Sequence, residues 1–191
     1  MNPIIGFHGP IGSGKDTLAN MLIHRLSGHK LKFADPLYAA CQAIDPIINP
    51  FMTHASKDFP LLGNPSLGTR RNLLEKMGTE FFRNIIHPEF FLLYLASTID
   101  SIKQFDPDTL IVISDVRFDN EADKLRELGG HIIHLIPDWP CARTGHASDA
   151  GITFCPGDTR LLLEKDNVEG GYKKVTSVIA DQFGSRLPQI R

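Results

Sequence analysis

Short apolar runs separated by glycine and proline turns mark the first forty residues of the chain. Residues 4–7 are mostly apolar and precede the segment HGPIGSGKDT, and apolar residues then recur at helical spacing over residues 18–26. A second short strand is predicted over residues 31–33, and a helix follows over residues 37–44, with Pro36 in its first turn. This alternation of strands and helices around a glycine-rich loop is typical of an α/β fold.

The same alternation continues along the rest of the chain, interrupted by two irregular stretches. Residues 45–68 contain four prolines and show no clear period, and residues 138–157 are also irregular. Helices are predicted over residues 70–86, 88–103, 120–128 and 172–183, and strands over residues 110–113, 132–136 and 161–163. About five short strands alternating with helices predict a parallel sheet with helices on both faces.

Apolar residues on the helix predicted over residues 70–86 indicate which of its faces is buried. They recur at helical spacing as Leu73, Leu74, Met77 and Phe81. We therefore expect this face to pack against the rest of the protein.

Composition narrows the kind of protein and the kind of ligand. The chain has 191 residues, so we expect a single domain over residues 1–191. Its 20 basic and 22 acidic residues give a formal charge of -2, so no basic surface for a nucleic-acid polymer is expected. Three widely spaced cysteines argue against a disulfide framework, and no apolar run reaches membrane-spanning length. We expect a cytoplasmic protein that binds small ligands and no membrane.

The segment from Gly9 to Lys15 fits the pattern G-x-x-x-x-G-K between a predicted strand and a predicted helix. In such a loop, backbone N–H groups and the start of the helix surround phosphates, and the lysine adds a positive charge. The segment therefore predicts an ATP-binding loop. Its candidate residues are Gly12, Ser13, Gly14, Lys15, Asp16 and Thr17.

The loop departs from the usual pattern at Asp16, which stands where a serine or threonine hydroxyl normally binds Mg²⁺. A carboxylate beside a triphosphate is repelled unless a cation lies between them, so we expect Asp16 to face Mg²⁺, directly or through water. A first-turn helix residue favoured by the helix dipole is the alternative. Asp115, after the strand over residues 110–113, is the second candidate Mg²⁺ ligand, with a turn cap as its alternative.

Four blocks of sequence together resemble a known family, the phage-type deoxynucleoside monophosphate kinases. They are GSGKDT, RNLLEKMGTEFFR from Arg71, ISDVRFDNEADKL from Ile113, and GHASDAG from Gly145. The resemblance implies a three-layer P-loop kinase fold with a parallel sheet of about five strands. It also implies an acceptor-binding helical excursion over about residues 45–105 and a short lid over about residues 137–157.

The resemblance implies roles for individual residues as well. Lys15, Asp115 and Arg117 would be catalytic, and the acceptor would be bound by Asp35, Arg71, Glu75, Arg83 and Arg117. Glu75 and Asp149 stand where glutamine and glutamate are usual, so the base of the acceptor is left open. For Arg70, a solvated surface charge and a site residue are equally open.

The expected reaction is in-line transfer of the γ-phosphate of ATP to a deoxynucleoside monophosphate, with Mg²⁺ as cofactor. A small-acceptor kinase similar to phosphomevalonate kinase is the alternative, and a non-catalytic nucleotide-binding module is a third reading. The block Gly78-Thr79-Glu80 favours the nucleotide acceptor. If the chain is phage-encoded, the host cytoplasm is its expected location, and homodimer formation is left open.

The irregular stretch late in the chain also contains Cys141, His146 and Cys155. Three ligands at irregular spacing fall short of a four-ligand zinc site, so zinc is not expected. Roles for Arg143 and His146 are left unassigned. Asn167 could lie beside the adenine or form a plain turn.

Overall fold

Five strands form one sheet in which every neighbouring pair is parallel, in the order β2-β3-β1-β4-β5. They are β1 (Ile4–His8), β2 (Gly28–Leu31), β3 (Leu110–Val116), β4 (His131–Pro137) and β5 (Thr159–Leu163). The computed structural model that shows them describes residues 3–141 and 151–184. Because β1 lies at the centre, the loop that follows it emerges at the middle of the carboxyl edge, where parallel sheets bind ligands.

The chain divides into two units, and the first contains the sheet. This unit comprises Met1–Lys32 and Ala96–Arg191. Its helices are α1 (Lys15–Leu26), α6 (Asp119–Glu127) and α7 (Val168–Phe183), with the later part of α5 (Phe90–Phe105). No helix among the described residues is long and apolar enough to cross a membrane.

Apolar side chains fill both faces of the sheet. On one face, α1 and α7 pack on the strands in a single cluster that includes Phe7, Leu22 and Ile179. On the other face, α6 lies so close to β1 that a Cβ on Gly6 would come within 2.9 Å of Leu125 Cδ1. The parallel sheet with helices on both faces confirms the predicted fold class.

The second unit comprises Phe33–Leu95 and is mainly helical. Its elements are α2 (Asp35–Gln42), α3 (His54–Lys57), short 3₁₀ turns at Leu61–Gly63 and Pro65–Leu67, α4 (Arg70–Glu75), a π-helical segment (Lys76–Ile86) and the start of α5. A small core of Cys41, Ile48, Leu61 and Leu74 holds these elements together. That this unit forms the acceptor-binding excursion stays a prediction, as do the bounds of the lid, whose residues 142–150 lie outside the described residues.

The helix predicted over residues 70–86 is present, but its second half is π-helical, and the prediction that Phe81 belongs to the buried face is wrong. After α4 the chain continues with π-helical hydrogen bonds, and the N–H of His87 donates to the carbonyl of Phe82, five residues earlier, at 2.9 Å. A π-helix has more residues per turn than an α-helix, so the buried face shifts along the sequence. Phe82 is therefore buried, whereas the predicted core residue Phe81 is 41% exposed.

The other elements lie close to their predicted positions, with two shifts that matter for the site. β3 extends to Val116, so Asp115 lies within the strand and not after it. β2 begins and ends earlier than the predicted residues 31–33. This strand pairs only with β3 at the edge of the sheet, so its residues are half exposed and need not be apolar.

Candidate phosphate-binding site

The loop between β1 and α1 has the backbone geometry that its glycines predict. Gly12 and Gly14 have φ angles of 83° and 87°, in the left-handed region that residues with a Cβ rarely occupy. The N–H of Ser13, which is fully buried, donates to the carbonyl of Pro10 at 3.1 Å and closes the turn. The predicted strand, loop and helix are confirmed as a continuous unit around this turn.

Lys15 folds back over the loop that precedes it. Its Nζ donates to the carbonyls of Gly9 and Pro10 at 2.6 and 2.7 Å and to Ser13 Oγ at 3.3 Å. Thr17, in the first turn of α1, is exposed. The lysine ammonium is thus held at the loop by neutral oxygens, which phosphate oxygens would replace with a stronger charged contact.

Charged groups near Lys15 show which predicted residues the first unit brings together. Burial lowers the pKa of Lys15 to about 8, and the positive charge of Arg117 acts in the same direction. The negative charges of Asp16 and Asp115 act in the opposite direction. The charges of two other predicted catalytic residues, Asp115 and Arg117, therefore act on Lys15.

The turn after β3 presents Arg117 to solvent. A carboxylate oxygen of the buried Glu121 accepts from the backbone N–H of Arg117 at 2.8 Å and of Phe118 at 3.2 Å. Asp115, two residues earlier, is half-buried within the strand. Glu121 therefore fixes the backbone of the turn while the guanidinium of Arg117 remains exposed.

Asp16 lies in a cluster of donors that the sequence did not predict. Its Oδ1 accepts from Lys30 Nζ at 2.6 Å, from Lys32 Nζ at 2.9 Å and from Ser114 Oγ at 3.0 Å. Lys30 also donates to Asn20 Oδ1 at 2.9 Å. Partial burial raises the pKa of Asp16, but the hydrogen bonds from the two lysines outweigh it and lower the pKa to about 2. Asp16 is therefore ionised at any pH where the protein functions.

The predicted acceptor residues of the second unit lie on several of its helices. Asp35 begins α2, Arg71 lies in α4 and Glu75 ends α4. Arg71 Nε donates to Asp58 at 2.6 Å, and the guanidinium of Arg83 lies 4.7 Å from the centroid of the Phe91 ring. The convergence of these residues with Arg117 on one phosphate stays a prediction.

Arg70 is neither a solvated surface charge nor an exposed site residue, so the reading of this residue as a solvated charge is wrong. Its Nε donates to Asp45 Oδ2 at 2.8 Å, and the two side chains are only 8% and 2% exposed. Asp45 also accepts from the N–H groups of Ile47 and Leu62 at 3.1 and 3.0 Å. The pair thus holds the irregular segment before α4 in place.

A cavity of about 450 Å³ opens beside the start of the loop, on the side of β4 and β5. Its lining includes His8, Gly9, His134, Trp139 and Arg160. Trp139 Nε1 donates to the carbonyl of Gly12 at 3.2 Å, which ties the segment after β4 to the loop. The first part of the predicted lid therefore contacts the phosphate-binding loop directly.

The far end of the predicted lid is also anchored to the first unit. The buried carboxylate of Asp158 accepts from Arg126 at 2.7 Å and from the N–H of Cys155 at 2.9 Å, and lies 3.0 Å from His134 Nε2. Asp119 accepts from the N–H of Thr153 at 2.6 Å. Both described ends of this stretch are thus fixed by hydrogen bonds to the sheet and to α6.

The family model that matches this chain and two proteins of similar sequence have closely similar descriptions. A family model described as deoxynucleotide monophosphate kinase matches residues 51–175. The chain belongs to this family. It is 30% identical over 186 residues to a putative deoxynucleotide monophosphate kinase of Acanthamoeba polyphaga mimivirus, covering 92% of this chain and 95% of that protein. It is 24% identical over 218 residues to the deoxynucleoside-5'-monophosphate kinase of Escherichia phage T5, covering 80% and 86% of the two chains.

A solved structure agrees on the fold alone. The sugar kinase from Janibacter sp. HTCC2649 superposes with a TM-score of 0.53 and 15% identity, covering 98% of this chain and 99% of that chain. At this identity the likeness concerns the arrangement of the elements and not the substrate. The family match is what confirms the predicted resemblance, and it makes the chain a phosphotransferase that acts on deoxynucleoside monophosphates.

Sequence reasoning about this kinase missed several residues that shape the loop region. Lys30 and Lys32 are two residues apart on an extended segment, a spacing that places side chains on one face. That spacing was a usable signal, but it does not say which carboxylate the lysines meet. Trp139, the one tryptophan of the chain, gave no local signal of its contact with Gly12.

Asn167 caps α7 by accepting from the N–H of Gly170 at 2.9 Å, which supports its reading as a turn residue.

Proposed function

We propose that this kinase transfers the γ-phosphate of ATP to the phosphate of a deoxynucleoside monophosphate by in-line displacement. The geometry of Lys15 carries the proposal, because its ammonium is already placed against the carbonyls of the glycine-rich loop. A phosphate chain bound there would meet the lysine, the loop N–H groups and the start of α1 together. We assign Gly12, Ser13, Gly14, Lys15, Asp16 and Thr17 to this ATP-binding loop.

The donor set also suits Mg²⁺, the usual partner of ATP in phosphoryl transfer. Asp115 is half-buried near Lys15 and supplies carboxylate oxygens, which are hard ligands. Oδ1 of Asp16 accepts hydrogen bonds from Lys30, Lys32 and Ser114, which leaves its other carboxylate oxygen for a cation. We propose that this second oxygen contacts Mg²⁺ through water. Few carboxylates are needed because Mg²⁺ also binds substrate phosphates and water. When bound, Mg²⁺ would neutralise charge on the phosphates of ATP.

Acceptor binding is assigned to the second unit together with Arg117. A dianionic phosphate requires several donors of fixed charge, and guanidinium groups bind it with two parallel hydrogen bonds. Arg71, Arg83 and Arg117 are the proposed phosphate ligands. Asp35 and Glu75 would contact the sugar or the base, because a carboxylate beside the acceptor phosphate would be repelled.

The residues of the chain would act by alignment and charge stabilisation. The attacking oxygen of the acceptor phosphate is already anionic, so no general base is needed. Lys15 would offset the charge that grows on the leaving phosphate, and Arg117 the charge on the transferring group. Closure of the lid, assigned to about residues 137–157, would exclude water that would otherwise hydrolyse ATP.

The test is ADP release from Mg-ATP in the presence of separate acceptors. The panel contains dTMP, dGMP, dCMP, dAMP, modified pyrimidine monophosphates and phosphomevalonate. We expect ADP release with at least one deoxynucleoside monophosphate, and loss of most of this release in the Lys15→Ala variant. Release with phosphomevalonate alone, or release independent of every acceptor, would contradict the proposed reaction.

A further inference from the structure

The side chain of His8 connects the end of β1 to the end of β3. His8 is the last residue of β1, directly before Gly9 of the phosphate-binding loop. Its Nδ1 lies 3.0 Å from the carbonyl oxygen of Val116, the last residue of β3. A carbonyl oxygen only accepts hydrogen bonds, so Nδ1 carries a proton and donates to Val116. One side chain thus joins the residue before the loop to the residue before Arg117.

The pairing of β1 with β3 is irregular at this place. Gly6 pairs with Ile113 and His8 pairs with Val116, so three steps along β3 lie opposite two steps along β1. Such a bulge leaves one residue unpaired and disrupts the ladder of backbone hydrogen bonds. The hydrogen bond from His8 to Val116 crosses between the strands at the end of the bulge. The imidazole therefore supports the pairing where the backbone ladder is disrupted.

The bulge and the turn after it carry groups of the candidate site. Ser114 and Asp115 lie within the bulge, between the paired residues of β3. Ser114 Oγ donates to Asp16 at 3.0 Å, and the negative charge of Asp115 acts on Lys15. Arg117 follows the strand directly, and its positive charge acts on Lys15 as well. The position of the end of β3 relative to the loop therefore determines the spacing of these charges.

Neighbouring groups hold the ring of His8 in one orientation. Its centroid lies 5.3 Å from that of the His134 ring, and the two ring planes meet at 69°. His134 Nε2 lies 3.0 Å from Asp158 Oδ2, and this buried carboxylate also accepts from Arg126. Burial lowers the pKa of His8, so its ring is neutral near neutral pH and has one N–H group. That group donates to Val116 and cannot donate to a phosphate at the same time.

We propose that His8 is a positioning residue for phosphoryl transfer and fixes the spacing between the phosphate-binding loop and the turn that carries Arg117. The inference rests on the proposed function for the roles of Lys15 and Arg117. Glu121 fixes the same turn from α6, whereas His8 ties it to β1. Without this bond the end of β3 would be free to shift. A shift of about 1 Å in groups that align the reactants can lower the rate about a hundredfold.

Two substitutions of His8 separate its N–H group from the rest of the ring. Asparagine places an N–H group near the position of Nδ1, whereas glutamine places its amide near that of Nε2. We expect His8→Gln to lower kcat/KM for the acceptor roughly tenfold to a hundredfold, and His8→Asn to retain most of the activity. The KM for ATP should change less than about threefold, because the hydrogen bonds of Lys15 within the loop do not involve His8. Equal losses in the two variants would overturn the proposal.

His131 provides the matched control, because it is another histidine of the sheet with a side-chain hydrogen bond. It begins β4 at the amino edge, opposite the loop, and its Nε2 lies 2.9 Å from Thr159 Oγ1. His131→Asn should therefore lower the Tm with little change in kcat/KM.

Combining His8→Gln with Arg117→Ala tests whether His8 acts through Arg117. If it does, the double variant should be no more than about twofold slower than Arg117→Ala alone, because the two residues form one coupled unit. Fully additive losses would show that His8 acts elsewhere and would overturn the proposal.

Hydrogen exchange of backbone amides tests the same role without requiring turnover. The N–H groups of Arg117 and Phe118 donate to Glu121, so their exchange reports on the order of the turn. We expect exchange at both amides to be at least about tenfold faster in His8→Gln than in the wild type, and to be restored in His8→Asn. Unchanged exchange, or equally faster exchange throughout the sheet, would overturn the proposal. Absence of ADP release in the wild type would contradict the proposed reaction and would leave these exchange rates interpretable.

Discussion

Asp16 and Asp45 each accept hydrogen bonds from basic side chains, but their surroundings differ. Asp45 is 2% exposed and accepts from Arg70 and from two backbone N–H groups. Asp16 is 55% exposed and shares one oxygen between two lysines and a serine. Around Asp16 two ammonium groups contact one carboxylate, whereas around Asp45 one guanidinium contacts one carboxylate.

Burial and the number of basic partners distinguish a structural ion pair from a site for an anionic ligand. The pair of Asp45 and Arg70 is buried, equal in charge and supported by hydrogen bonds, which is the condition for a stable buried pair. In the loop region, Lys30 and Lys32 contact the exposed Asp16, and the charges of Arg117, Asp16 and Asp115 act on Lys15. Burial disfavours the charged form of Lys15, so we expect this residue to affect ligand binding and turnover more than folding.

The largest expected effect is the loss of turnover on removing Lys15. In the Lys15→Met variant we expect kcat to fall at least about a hundredfold, roughly 3 kcal/mol, because the lost charge acts mainly in the transition state. The Tm should not fall, since burial already disfavours the charged lysine, as its lowered pKa shows. Steady-state kinetics and thermal melting are measured for this variant and for a control, Lys124→Met, in α6, whose lysine is 35% exposed and pairs with Glu127. Normal turnover in Lys15→Met would remove the loop from the mechanism.

The second effect is a loss of folding stability, which we expect for the buried pair of Asp45 and Arg70 and not for the loop. Arg70→Met should lower the free energy of unfolding by roughly 3 kcal/mol, because Asp45 would be left buried without its charged partner. Arg71→Met is the matched control, since Arg71 and Asp58 are 34% and 61% exposed and should contribute less than about 1 kcal/mol. Urea unfolding of both variants measures the difference. Equal losses would mean that burial does not distinguish the two pairs.

The third effect sharpens the comparison by asking which of the proposed acceptor arginines bind ligand. Arg71→Ala, Arg83→Ala and Arg117→Ala should each raise the acceptor KM roughly tenfold to a hundredfold, a loss of about 1.5 to 3 kcal/mol per contact. The KM for ATP should hardly change. Arginine-to-lysine variants should recover only part of the loss, because an ammonium cannot bind a phosphate in the same bidentate way.

The kinetic constants of the three arginine variants are interpreted one variant at a time. A variant that instead lowers turnover at saturating acceptor would identify an arginine that touches the transferring phosphate. Unchanged kinetics in all three, with every monophosphate tested, would refute the assignment of the acceptor site.

The smallest effect is the acid dependence of stability in the second unit. Burial raises the pKa of Asp45, but hydrogen bonds from the Leu62 N–H, from Arg70 and from the Ile47 N–H outweigh it and lower the pKa below its usual range. The folded state then holds the proton less tightly than the unfolded state. The stabilisation is complete above the unfolded pKa, near 4, and is lost as the pH falls through the lower folded pKa.

Unfolding curves between about pH 2 and pH 7 test this dependence. Asp45→Asn should be less stable than the wild type at neutral pH and should lose less stability on acidification. Parallel curves for the two proteins would show that Asp45 does not contribute to the acid dependence.

The amino-acid sequence alone determined those features whose cause lies within a few residues. Glycine at positions 12 and 14 permits the left-handed backbone of the loop, and apolar runs specify buried strands. The strand, loop and helix around Lys15 and the order of most helices and strands were therefore predictable. The resemblance of short blocks to a kinase family was predictable for the same reason, and the family match confirms it.

Only the tertiary structure decided which distant groups meet. Asp16 accepts from Ser114, 98 residues away, and Asp45 pairs with Arg70, 25 residues away, and neither spacing has a local signature. The change from α- to π-helical hydrogen bonds after Glu75 likewise moved the buried position from Phe81 to Phe82. Such choices depend on the packing and charge that the folded chain brings to each residue, because one side chain has many partners of suitable chemistry along the sequence.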